Sequence, residues 1–129
     1  MTLHLIDRLA VEDEGEGPVV VCVHGLGGSS NTWTPLMPAL ARHHVVRIDL
    51  PGSGRSQGAE GTLSIERYVQ SLLEVCSRLG ISRAHWLGHS MGTIVCQHVA
   101  TTRPALVASL ALFGPLVAPP DAARSAMLQ

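Results

Sequence analysis

Five consecutive residues, Gly88, His89, Ser90, Met91 and Gly92, carry the clearest chemistry in this chain of 129 residues. A Gly-x-Ser-x-Gly run is weak evidence by itself: with glycine and serine each at about 7% of residues, chance supplies one in roughly every twenty-five chains of this length. Its surroundings sharpen it. A short apolar run at residues 84–87 leads straight into the serine, and a helical pattern (Met91, Ile94, Val95, His98, Val99) leaves it. A serine on a sharp bend between strand and helix has its hydroxyl lifted clear of the sheet, where it can attack an acyl carbon. Side chains two residues to either side would collide in so tight a bend, and Gly88 and Gly92 remove them. At a helix start, Ser90 also sees unpaired backbone N–H groups and the positive end of the helix dipole, which favour a developing oxyanion.

A second glycine-rich segment, His24, Gly25, Leu26, Gly27 and Gly28, follows the most apolar run in the chain, Val19, Val20, Val21, Cys22 and Val23. If it folds back toward the bend, the backbone N–H of Leu26 joins that of Met91 in holding an oxyanion. The candidate site is therefore Ser90 as nucleophile with Leu26 and Met91 as amide donors. Of the remaining histidines, His24 could approach the site, His89 should point away from the serine oxygen, and His98 should pack or face solvent. His43, His44 and His85 have no acid or second histidine at ligand spacing, so no metal is expected. Asp49 is expected to anchor a turn at Gly52 and Gly54, and Trp33 and Trp86 to pack.

Several function classes drop out on composition. The nine basic residues are all arginine and are scattered, against ten acidic ones, so no stripe exists to neutralise nucleic-acid phosphates. With no lysine, a Walker-type phosphate loop, a Schiff base and a Ser/Lys dyad are excluded. The three cysteines, Cys22, Cys76 and Cys96, sit among apolar neighbours without paired spacing and read as buried free thiols. His4, Asp7 and Arg8 interrupt the first apolar residues, so a signal peptide and a membrane span are not expected and a cytoplasmic location is. No cofactor is called for.

Strand and helix signals alternate along the chain. Residues 2–12 fit two short strands, residues 14–18 a turn, and residues 19–23 a strand buried on both faces. Thr34 is expected to cap a short helix with Pro35 at its first position. A strand at 45–50 and a Gly/Pro/Ser-rich loop at 51–61 follow. Ser64 then caps an amphipathic helix (Ile65, Tyr68, Val69, Leu72, Leu73, Cys76, Leu79) that Gly80 stops. A strand at 84–87, a helix at 91–103 stopped by Pro104, and a strand at 106–113 complete the series, and residues 118–129 open a further helix. This order predicts an α/β fold, a mostly parallel sheet with helices on both faces and an antiparallel pair of strands at one edge.

Taken together, the HGLGG segment at 24–28, Trp33, the turn DLPGSGRS at 49–56 and LGHSMG at 87–92 resemble the α/β-hydrolase superfamily, in its serine-nucleophile branch that includes 3-oxoadipate enol-lactonases and esterases. The resemblance implies that the amides of Leu26 and Met91 form the oxyanion hole, that His24 positions its loop, and that a small-molecule carboxylic ester or lactone is the substrate, cleaved through an acyl-enzyme. Haloalkane dehalogenases and epoxide hydrolases look similar but carry aspartate where this chain has Ser90. In the family the acid and then the histidine follow the nucleophile along the chain. Here Asp121 and His98 are the only candidates, and their order is reversed. The chain is thus expected to be the N-terminal part of a single hydrolase domain, cut after about the sixth strand with the cap region beginning near 115–129. By itself it is expected to be inactive. Two other classes compete: a non-catalytic ligand-binding or interaction module that kept the fold, and a dinucleotide-binding domain. The second has Gly25, Gly27 and Asp49 at tolerable spacing, but Ser30 replaces the third glycine and the serine bend is left unexplained.

Overall fold

In the computed structural model, residues 1–6, 9–25, 28–50 and 64–114 are described. A strand apolar at every position must be covered on both faces and both edges, and Val19–Val23 is such a strand, buried beyond its first residue. It lies third from one edge of a six-stranded sheet made of β1 (Thr2–Ile6), β2 (Leu9–Glu14), β3 (Val19–Val23), β4 (His44–Ile48), β5 (Ala84–His89) and β6 (Val107–Phe113). The order across the sheet is β1-β2-β4-β3-β5-β6. Strands β4, β3, β5 and β6 run parallel, while β1 and β2 join antiparallel at the β4 edge. The α/β fold expected from the sequence is the observed one.

Residues paired across strands share a face, so the register sorts the core into two layers. On one face Val21, Val23, Val46, Ile48 and Trp86 meet two helices, α1 (Ile65–Arg78) and α2 (Met91–Thr102), whose Leu72, Val75, Val95 and Val99 are fully buried. On the other, Val20, Cys22 and Val45 are covered by Trp33 and the half-buried Leu36, Met37 and Leu40. Helix α1 follows its sequence signals. The Ser64 hydroxyl accepts from the Arg67 N–H at 3.1 Å, Glu74 and Arg78 pair at 2.8 Å, and Gly80 ends the helix at φ +70°.

The helix on the second face departs from expectation. Thr34 does not cap it; Ser29 does, and the element is a 3-10 helix spanning Ser30–Leu40. Ser29 is extended (φ −159°, ψ −175°), its hydroxyl accepts from the Asn31 N–H, and the Thr32 hydroxyl accepts from the Ser29 N–H. This reciprocal cap fixes the start five residues earlier than a proline rule would place it. Pro35 and Pro38 then fall inside the helix and delete two N–H donors, which a regular α-ladder cannot absorb.

His44 also departs from expectation, because folding brings it an acid and a second histidine. The antiparallel register sets Asp13 opposite both Thr2 and Val46, and the Asp13 carboxylate contacts His44 Nε2 on one side and His4 Nε2, at 3.1 Å, on the other. Residues 31 apart in sequence meet only through the sheet. Among the described residues no cluster of three or more potential ligands has a metal-binding arrangement. Nor is any helix among them long and apolar enough to cross a membrane.

Candidate active site

Strand β5 delivers its last residues into a backbone bend that only one described non-glycine residue adopts. Ser90 has φ +54° and ψ −119°, and α2 starts at the next residue. A positive φ places Cβ against the backbone and costs of order 1–3 kcal/mol, so the surroundings must hold it. They do so through the main chain. The Ser90 N–H donates to the Phe113 carbonyl at 3.1 Å, and the Ser90 carbonyl accepts from the Thr93 N–H at 3.0 Å and the Thr93 hydroxyl at 2.7 Å. The Ser90 side chain makes no capping bond and is half-buried.

Two glycines permit the approach. A Cβ on Gly88 would lie 2.8 Å from the Gly92 carbonyl oxygen, and one on Gly92 would overlap the Val23 carbonyl and fall 2.7 Å from that of His24. The spacing read in the sequence as relief of a tight turn is that, and more: Gly92 lets the start of α2 touch the exit of β3. Gly25 completes the contact from the other side. A Cβ there would sit 2.8 Å from Ser90 Cβ, 3.0 Å from the His89 carbonyl and 3.4 Å from Met91 N. The glycine segment therefore lies against the bend, as expected for its first two residues. Leu26, the other expected amide donor, lies outside the described residues. Met91 is the first residue of α2, so its N–H has no carbonyl a turn earlier to bond.

His24 is fully buried with both ring nitrogens engaged. Nε2 accepts from the Leu50 N–H at 3.0 Å, so the proton resides on Nδ1, which donates to the Gly25 carbonyl at 2.7 Å. Burial holds its pKa below the ordinary histidine value, opposed by the Gly25 bond and the nearby Asp49 carboxylate. The ring is thus neutral and occupied, and it holds the start of the glycine segment, the role that the family resemblance implied. His89 and His98 are exposed. The His85 ring meets the Ser109 hydroxyl at 2.6 Å.

Asp49 was expected to hold the turn at Gly52 and Gly54, which lies outside the described residues. Its Oδ1 accepts from the Ser30 N–H at 2.6 Å, at the start of the 3-10 helix. The pairing spans 19 residues, and no local pattern announces it. Trp33 and Trp86 are buried as expected, and Trp33 meets Phe113 edge-on at 6.0 Å between ring centroids. The thiols of Cys22, Cys76 and Cys96 are buried, and that burial pushes each up to about 12.

Sequence comparison assigns the chain that carries this bend to one family. The alpha/beta hydrolase fold family model matches residues 18–129. The chain belongs to the α/β-hydrolase fold family. It is 31% identical over 118 residues to an (E)-2-((N-methylformamido)methylene)succinate hydrolase of Acinetobacter baylyi, covering 91% of this chain and 45% of that protein. It is 40% identical over 105 residues to a pimeloyl-[acyl-carrier protein] methyl ester esterase of Methylococcus capsulatus, covering 81% and 39%. The solved structure of a hydrolase from Pseudomonas aeruginosa superposes with a TM-score of 0.85 at 28% identity, covering 95% of this α/β-hydrolase chain and 49% of that one. The chain thus spans less than half the length of each.

Proposed function

We propose that this α/β-hydrolase chain carries the nucleophile and part of the oxyanion site of a serine hydrolase acting on a carboxylic ester or lactone. Ser90 attacks the acyl carbon, the Met91 and Leu26 amides hold the tetrahedral oxyanion, the alcohol leaves, and water releases the acid from the acyl-enzyme. The observation that carries the reading is the positive φ of Ser90 at the start of α2. A strained serine costs stability and has no structural use when glycine would fit without strain, so function is the simpler account. Relatives named as an esterase and as a hydrolase support the same class. An enol-lactone is one substrate such a site accepts.

The base and its acid partner belong to later residues in this reading, because His24 is neutral and fully engaged. The whole protein, rather than residues 1–129 alone, is then the active species, a cytoplasmic enzyme taking a small-molecule substrate. A fluorophosphonate probe tests the assignment on the full-length protein. Labelling of the wild type and none of Ser90→Ala is expected. Equal labelling of the two places the nucleophile elsewhere, and labelling of neither favours a binding module that kept the fold without the reaction.

A further inference from the structure

The exit of β4 holds both ends of the connection that presses Gly25 against Ser90. At one end the Leu50 N–H bonds His24 Nε2, whose other nitrogen holds the Gly25 carbonyl; at the other, Asp49 accepts from the Ser30 N–H at 2.6 Å. His24, Ser30, Asp49 and Leu50 are each at most 2% exposed. The Asp49 N–H donates in turn to the Ala10 carbonyl at 3.0 Å, so the anchor is itself fixed to β2. We propose that Asp49 is a positioning residue for the nucleophile site, one half of a two-point clamp that sets the distance between the Gly25 backbone and Ser90. This rests on the serine-hydrolase reading above.

An ordinary helix cap does not explain the Asp49 bond. The 3-10 helix already has a reciprocal local cap in Ser29 and Thr32. A buried carboxylate is costly to desolvate and is retained where its charge-assisted bonds fix geometry. The Ser30 bond runs to a different strand, so it adds what a local cap cannot: a fixed offset between the helix start and the sheet. Losing it frees the far end of the glycine connection, and an error of about 1 Å at a reacting centre costs about 10²-fold in rate.

The test uses the full-length protein with four variants: Asp49→Ala, Asp49→Asn, Ser30→Pro and the Asp49→Ala/Ser30→Pro double. Ser30→Pro deletes the donor at a position where helices accept proline, after an extended Ser29. Fluorophosphonate labelling rates and p-nitrophenyl acetate kinetics are read per folded molecule. Asp49→Ala and Ser30→Pro are each expected to lower kcat and the labelling rate about tenfold or more, with KM changed less than about threefold. Asp49→Asn, which keeps an acceptor, should recover part of the loss. The double variant should lose less than the product of the two single losses, since both changes remove the shared Asp49–Ser30 bond. Variants that melt earlier but keep kcat within about threefold overturn the proposal and leave Ser90 as nucleophile, as do losses that multiply in the double. An unlabelled wild type overturns the serine-hydrolase reading, and this inference with it.

Discussion

Gly25→Ala isolates the contact between the glycine segment and the nucleophile. The added methyl would lie 2.8 Å from Ser90 Cβ and 3.0 Å from the His89 carbonyl, where ordinary contacts run from 3.4 to 4 Å. Neither neighbour is the end of a flexible side chain, so the two backbones must separate by about 0.6 to 1.2 Å. Overpacking of this kind costs about 1–3 kcal/mol of stability. The larger effect falls on rate, because the Gly25 backbone moves by the same amount relative to Ser90. A displacement near 1 Å is worth about 10²-fold, or about 2.7 kcal/mol of barrier. The assay is kcat/KM for p-nitrophenyl acetate on the full-length protein, with urea unfolding to correct for the folded fraction. Gly80→Ala is the control: it forces a side chain to φ +70° where nothing lies within 4 Å, so it should lose about 1–2 kcal/mol with activity unchanged. If Gly25→Ala keeps kcat/KM within about threefold while Gly80→Ala behaves as stated, the placement of the glycine segment against Ser90 is wrong.

Other outcomes follow from the same physical terms. The three thiols, pushed up to about 12 by burial, should resist Ellman's reagent in the native protein at pH 8 and react on unfolding; a fast-reacting native thiol would contradict their placement. His24 binds a proton less readily when folded than when unfolded, so its contribution to stability is full above about pH 6.5 and falls as pH drops below that. Replacing His24 with Gln should flatten this acid limb in urea titrations at pH 7 and pH 5, and an unchanged limb would refute it. Glu12 pairs with the Arg47 guanidinium with both residues 8% exposed, so Glu12→Ala should cost about 3–5 kcal/mol by stranding the cation; a loss below about 1 kcal/mol would show the pair to be solvated.

Local signals were readable wherever the structure is local. The valine run of β3, the Ser64 cap and Gly80 stop of α1, and the glycines about Ser90 each state a backbone requirement within a few residues, and the fold meets them. The start of the helix on the second face was misplaced because Thr34-Pro35 imitates a cap, while the reciprocal Ser29–Thr32 bonds decide the matter. What escaped the sequence lies across strands. Asp49 finds Ser30, and Asp13 finds both His4 and His44, only because the β1–β2, β2–β4 and β3–β4 registers bring distant residues together. The glycine that spaces a turn was legible as such, but its contact with the carbonyls of Val23 and His24 needed the sheet order.

The central claim is that the Ser90 oxygen forms the covalent intermediate. Trypsin cuts after Arg83 and Arg124, the Arg103–Pro104 bond being resistant, and gives a peptide of residues 84–124 whose two serines, Ser90 and Ser109, are told apart by fragmentation. Acid quenching of the full-length enzyme during ester turnover, followed by peptide mass analysis, should find the acyl mass on that peptide and at residue 90. Turnover with the acyl group on another peptide, or with none trapped even under a slowly deacylating ester, would contradict the account.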